Sequence, residues 1–245
     1  MINIISATDR GLVRKDNQDY FVYHIYEEKN MAFAIVCDGM GGHNAGDVAS
    51  RIACETIKQQ LLRADLRAIN PIGIKNVLES ALSVANAMIF ELSKEKESLR
   101  GMGTTVTAVF IIDNQAFIMY AGDSRAYLIN NMNCTQLTKD HTIAQFLIDT
   151  GKVPQSNKSK NSNKITKALG VSPELDVDYI EYKLPMDGSI LICTDGLSNY
   201  MKSENVLSLT NEALQTNNAG IFIDFALTEG GADNISAVLV SWRAE

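Results

Sequence analysis

Between Thr104 and Thr138 the chain reverses direction with almost nothing between its apolar runs, the breaks being Asp113-Asn114, Gly122-Asp-Ser124 and Asn130-Asn131. Connections this short join antiparallel neighbours, because a parallel crossover needs about a dozen residues or more. Four strands in a meander are therefore expected from 104 to 138. Apolar and β-branched runs give further strands at 2–8, 19–26, 31–37, 176–183, 189–194 and 235–242.

Two long helices interrupt this pattern after the third strand. In 44–63, Val48, Ile52, Ala53, Ile57 and Leu61 recur at helical spacing. The second helix opens with Asn70 as cap and Pro71 as first residue, and Ile74, Leu78, Ala81, Leu82, Ala85, Ile89 and Leu92 line one face. A helix at 142–150 is expected to turn Ile143, Phe146 and Leu147 inward and to end at Gly151. Shorter helices are expected near 203–209 and 219–228. Meandering strands with helices inserted between them exclude an alternating parallel sheet and predict an α+β antiparallel sandwich covered by helices.

Aspartates stand at the ends of several of these strands. Asp38 follows Met31–Cys37, Asp123 follows Ala116–Gly122, Asp195 follows Ser189–Thr194, and Asp233-Asn234 precede Ile235–Trp242. Any one of them alone reads as an ordinary Asp-Gly or Asp-Asn turn. Together they suggest a shared cation, since carboxylates crowded at the tips of core strands repel one another unless something positive lies between them. Oxygen ligands point to magnesium or manganese.

A chain of 245 residues suits one large domain or at most two small ones. A net charge of -7 argues against nucleic acid or a membrane surface as partner. The first ten residues carry no signal-peptide pattern and no run approaches a membrane span, so the expected location is cytoplasmic. Cys37, Cys54, Cys134 and Cys193 form no zinc-like pair and read as small hydrophobes, and Trp242 reads as core. Ser156–Lys164, with three lysines and no acid, is expected to be an exposed, mobile loop.

The sequence resembles the bacterial branch of the metal-dependent protein phosphatases, the type 2C serine/threonine phosphatases. The resemblance rests on Arg14-Lys-Asp-Asn-Gln-Asp19, Cys37-Asp-Gly-Met-Gly-Gly-His43, Met102-Gly-Thr-Thr105, Gly122-Asp-Ser-Arg125, Thr138-Lys-Asp-His141, Ala168-Leu-Gly170, Thr194-Asp-Gly196 and Gly231-Ala-Asp-Asn234, in this order. It implies two antiparallel sheets packed face to face with helices outside, a four-layer α-β-β-α sandwich. It also implies a single catalytic domain over 1–245 with a flap at 139–173.

Residue by residue, the resemblance implies that Asp38 bridges two manganese or magnesium ions, with the Gly39 carbonyl on one. Asp195 and Asp233 would ligate the other ion, Asn234 would support them, and Asp19 would act on metal-bound water. Asp123 with Asp195 would hold a weaker third ion. A hydroxide between the two ions would attack phosphorus in line, with no protein nucleophile. Arg14 would clamp the phosphate with its guanidinium fork. Met40 stands where many eukaryotic members have a histidine. His43 is therefore a candidate substrate contact or acid, while His24 and His141 have no comparable claim.

The implied activity is hydrolysis of phosphoserine and phosphothreonine on proteins by a monomer that opposes a bacterial-type serine/threonine kinase. Two other classes fit the same residues, a catalytically silent phospho-ligand module and a hydrolase of small phosphoesters. The lysine-rich loop departs from the family's flap pattern and faces either solvent or substrate.

Overall fold

The computed structural model describes residues 1–26, 30–42, 45–64, 66, 70–130, 133–153 and 164–243. One sheet has the order β1-β11-β10-β7-β8, where β1 is Ile2–Asp9, β7 Arg125–Ile129, β8 Cys134–Gln136, β10 Gly188–Cys193 and β11 Ile235–Trp242. The other has the order β2-β3-β5-β6-β9, where β2 is Asp19–Tyr26, β3 Met31–Met40, β5 Val106–Ile112, β6 Gln115–Ala121 and β9 Asp178–Lys183. The two-residue β4, Gly103–Thr104, pairs with the end of β3. Every pairing is antiparallel, as the short connections require.

Side chains alternate between the two faces of each strand, so each sheet packs on both sides. Ala32, Ala34 and Val36 of β3 meet Ile190 and Ile192 of β10 and Val238 and Val240 of β11 between the sheets. The intervening Phe33, Ile35 and Cys37 face outward onto α1, Ala45–Arg63, and α2, Pro71–Glu95. On the far side Leu191, Cys193 and Leu239 pack against α5, Ser203–Thr216, and α6, Gly220–Thr228. This is the expected four-layer α-β-β-α sandwich.

The Asn70 side chain accepts the Gly73 amide and so caps α2, an interaction typically worth about 1 kcal/mol. Asn86, buried on α2, accepts the Gly170 amide and donates to the carbonyls of Ser172 and Pro173, so the chain returning from 164 is tied to the helix layer. All four cysteines are free, with Cys37, Cys54 and Cys193 buried, and Trp242 donates its indole N–H to the Pro185 carbonyl from the core.

Three expectations need correction. In α3, Ile143–Asp149, the inward stripe is Ala144 with half-buried Leu147 and Ile148, while Ile143 and Phe146 are 37% and 57% exposed. The stripe keeps the i, i+3, i+4 spacing but is shifted by one residue from the expected set. The strand expected at 31–37 runs on to Met40 because β4 supplies it with a second partner. The helix expected at 203–209 continues to Thr216 and ends on Asn217 in the left-handed region. Most of the lysine-rich loop, including Lys158 and Lys160, lies outside the described residues, and Lys164 at its end is exposed.

Candidate metal centre

The strand register brings the acidic residues to one end of the sandwich. Asp19 opens β2 directly opposite Asp38 near the end of β3. β6 runs parallel to β3 through their common neighbour β5, so its end and Asp123 lie at the same edge. In the other sheet, Cys193 at the end of β10 pairs with Ala237 near the start of β11, which places Asp195 and Asp233 together. Thr194 joins the two groups by donating its hydroxyl to Asp19 Oδ2 at 2.8 Å across the sandwich.

Local bonds fix each carboxylate. The Asp38 amide donates to Thr105 Oγ1 at 2.9 Å, and its carbonyl accepts the Thr105 amide and the Thr104 hydroxyl, each at 2.9 Å. Thr105 in turn shares a 2.8 Å hydroxyl contact with Ser124, next to Asp123. Asp195 is the first residue of the short helix α4, Asp195–Ser198, and its Oδ2 accepts from Asn199 at 3.2 Å. Gly39 must be glycine, because a Cβ there would collide with the Gly46 carbonyl at the start of α1.

Asn234 holds the loop that carries Arg14. Its amide donates to the carbonyls of Arg10 and Asp16 at 2.8 and 2.9 Å and accepts the Gln18 amide at 2.9 Å. Arg14 Nη2 then reaches Asp233 Oδ2 at 2.7 Å, and that bond raises the guanidinium pKa further.

These carboxyls are hard to ionise where they stand. Burial, followed by repulsion from Asp19, Asp195, Asp123 and Asp233, holds the Asp38 carboxyl well above the ordinary range. Burial also pushes Asp19 and Asp123 to about 7 and raises Asp195, each with a neighbouring aspartate adding to the shift. Asp19 Oδ1, Asp123 Oδ1 and Asp195 Oδ1 are buried with no hydrogen-bond partner. A divalent ion answers both features by neutralising the charge and taking the free lone pairs.

Among the described residues no three His, Cys, Asp or Glu side chains close up enough to hold an ion by themselves.

Asp123, Arg125, Asp140, Thr142, Asp195, Ser198 and Asn199 surround a cavity of about 230 Å³ beside this centre. Arg125 makes a two-pronged bond to Asp140, at 2.8 and 2.7 Å, and the guanidinium remains charged despite burial. The residues that sequence reasoning left without a role are Thr105, Ser124, Thr194 and His141. Ser124, Thr194 and His141 each stand in a quoted motif beside a more conspicuous aspartate, Thr105 stands in a motif that has none, and each meets a partner distant in the chain. His43 lies outside the described residues.

The arrangement is that of a metal-dependent phosphohydrolase, and comparison with known proteins agrees. The protein phosphatase 2C family model matches residues 11–227. The serine/threonine phosphatase stp of Listeria monocytogenes is 34% identical over 95% of this chain and 93% of its own. The serine/threonine phosphatase PstP/Ppp of Mycobacterium tuberculosis superposes with a TM-score of 0.88 at 29% identity, over 99% of both chains. The PstP catalytic domain solved with two manganese ions superposes with a TM-score of 0.82, at 29% identity over 98% and 97% of the chains. The chain belongs to the protein phosphatase 2C family, the metal-dependent serine/threonine protein phosphatases.

Proposed function

We propose that this chain removes phosphate from serine and threonine side chains of proteins using two manganese or magnesium ions, and that it opposes a cognate serine/threonine kinase. The observation that carries the metal requirement is the set of buried, unpartnered oxygens on Asp19, Asp123 and Asp195 around Asp38. The two manganese ions in the PstP catalytic domain support the count.

Asp38 and the Gly39 carbonyl would hold the ions in common with Asp195 and Asp233, and Asp19 would act through water. Asp123 with Asp195 would take a weaker third ion. Bound divalent ions supply Lewis acidity and an activated water for in-line attack on phosphorus.

The protein's own part is to bind and orient. Arg14, more than half exposed at the rim, can turn its fork from Asp233 to two phosphoryl oxygens. Asn234 keeps the Arg14 loop in place through three bonds. His43 is retained as a substrate contact or acid on its position five residues after Asp38.

Residues 1–245 are taken as one catalytic domain with a flap at 139–173, acting as a monomer in the cytoplasm. No described helix is long and apolar enough to cross a membrane, and the net charge of -7 supports a partner other than nucleic acid.

The test is hydrolysis of a phosphopeptide panel and a nucleotide panel with and without manganese. Metal-dependent release from phosphoserine and phosphothreonine peptides is expected. Activity confined to nucleotides would make it a small-phosphoester hydrolase, and phosphopeptide binding without turnover would make it a silent module.

A further inference from the structure

Among the described residues, His141 is the histidine built into the far side of the candidate centre. Its ring is 9% exposed, lies flat on Tyr120 of β6 with centroids 5.1 Å apart and an interplanar angle of 2°, and points its two nitrogens at different elements. Nδ1 accepts the Gly122 amide at 3.1 Å, and the His141 amide donates back to the Gly122 carbonyl at 2.9 Å. One residue therefore satisfies both polar backbone groups of Gly122. An acceptor Nδ1 fixes the neutral ring as the tautomer with its proton on Nε2. Nε2 lies 3.3 Å from Asp178 Oδ2.

Gly122 is the residue before Asp123, and its backbone has φ +110, where a Cβ would also strike the Thr105 side chain. The turn is thus held in a conformation that only glycine adopts, with His141 as its partner through both bonds. Beyond it, Asp123 Oδ1 is buried and unpartnered, and the carboxylate lines the cavity it shares with Asp195. The groups facing the imidazole are Asp178 on β9, Lys167 and Asp176 on the returning chain, and Tyr120. Burial outweighs Asp178 and lowers the imidazole pKa, which keeps the ring neutral near pH 7.

We infer that His141 is a positioning residue for Asp123, its unprotonated Nδ1 fixing the Gly122 turn so that the Asp123 carboxylate reaches the cavity as a cation ligand. The inference rests on the reading that Asp123 and Asp195 hold a third ion. The His141 carbonyl also accepts the Thr166 amide at 2.8 Å, and Lys167 pairs with Asp178 at 2.7 Å. The same residue therefore ties the later part of the 139–173 segment to the third-ion turn.

Two variants separate the acceptor from the ring. His141→Phe keeps a flat ring against Tyr120 and removes the acceptor, whereas His141→Asn loses the ring and keeps an oxygen the same number of bonds from Cα as Nδ1. Calorimetric titration with manganese should show third-ion affinity at least about tenfold weaker in the Phe variant, with recovery to within about threefold of wild type in the Asn variant. The two tighter sites should be unchanged in both. Wild-type third-ion affinity in the Phe variant would overturn the inference, and so would equal weakening in both variants.

Asp123→Ala serves as the reference. If it still binds the third ion, the third-ion reading itself falls, and the positioning role falls with it. If Asp123→Ala loses the ion and His141→Phe does not, only the positioning role falls. A measurement on the unaltered protein needs no variant to fold: nitrogen NMR of the imidazole should show the proton on Nε2 and a bare Nδ1 coupled to the Gly122 amide. A protonated Nδ1 at neutral pH would overturn the inference directly.

Discussion

Arg14 Nη2 lies 2.7 Å from Asp233 Oδ2, so the candidate phosphate clamp and a candidate metal ligand neutralise one another. The guanidinium also feels Asp38 and Asp195. Arginine and metal thus compete for Asp233, and a cation there would free the fork for phosphate.

Arg14→Ala should therefore move two quantities in opposite senses. KM for a phosphopeptide should rise at least about fivefold, because a two-pronged phosphate contact is lost in the ground state as well as in the transition state. Manganese affinity at the core site should stay equal or tighten, because Asp233 loses its competing partner. Arg14→Lys should restore KM only in part. Unchanged KM in both variants would remove Arg14 from the substrate site.

Asp38→Ala should reduce turnover to below about one per cent of wild type, since the ions lose their common ligand. Its fold should survive. Asp38 is buried among four other acids, so removing it from the metal-free protein should leave the thermal midpoint unchanged or a few degrees higher. Turnover above about a tenth of wild type at saturating manganese would place the centre elsewhere.

Metal removal should reveal the strain in the acidic cluster. Asp19 and Asp123 rise from 3.8 to about 7 on folding in the absence of metal, so each stabilises the fold while protonated, below about pH 4. That contribution is lost as pH climbs through about 7, where the folded state must bury the charges. Carboxylates that the fold holds below the ordinary range, such as Asp178 beside Lys167, work in the opposite sense and are common to both forms of the protein. The informative quantity is the difference in thermal midpoint between manganese-loaded and chelated protein. It should widen from about pH 5 to about pH 7.5, and a difference independent of pH would argue against ions on these groups.

The layers of the fold were legible because period 3.6 survives in α2, where one face is buried, and because a strand buried on both faces reads as an unbroken apolar run, as β3 does. The errors fall where a partner is distant or an element is short. The extension of β3 to Met40 depends on Gly103–Thr104, and two turns of α3 leave room for a one-residue shift of the inward stripe. The aspartates showed themselves as charges at strand ends. The hydroxyls that aim them did not, since Thr105 meets Asp38 across 67 residues and Thr194 meets Asp19 across 175. A lone histidine in a sequence reads as structural or solvated, and only the reciprocal bonds of His141 to Gly122 give it a role.

Asn234 gives the last prediction. Its side chain is 5% exposed and bonds the loop at Arg10, Asp16 and Gln18, so Asn234→Ala strands two carbonyls and one amide. Leaving buried polar groups unpaired costs about 1–3 kcal/mol each where water cannot reach them, and this loop is partly exposed, so a net loss of about 2–4 kcal/mol is expected. In a chain of this size that lowers the thermal midpoint by about 4–16 °C. Because the freed loop carries Arg14, KM should rise alongside, even at temperatures where the variant is fully folded. Asn234→Asp should be no better than alanine, since it turns an anion towards the Arg10 and Asp16 carbonyls in place of a donor. Circular dichroism melts with kinetics well below the midpoint would check both effects, and a lowered midpoint with wild-type KM would confine Asn234 to the fold.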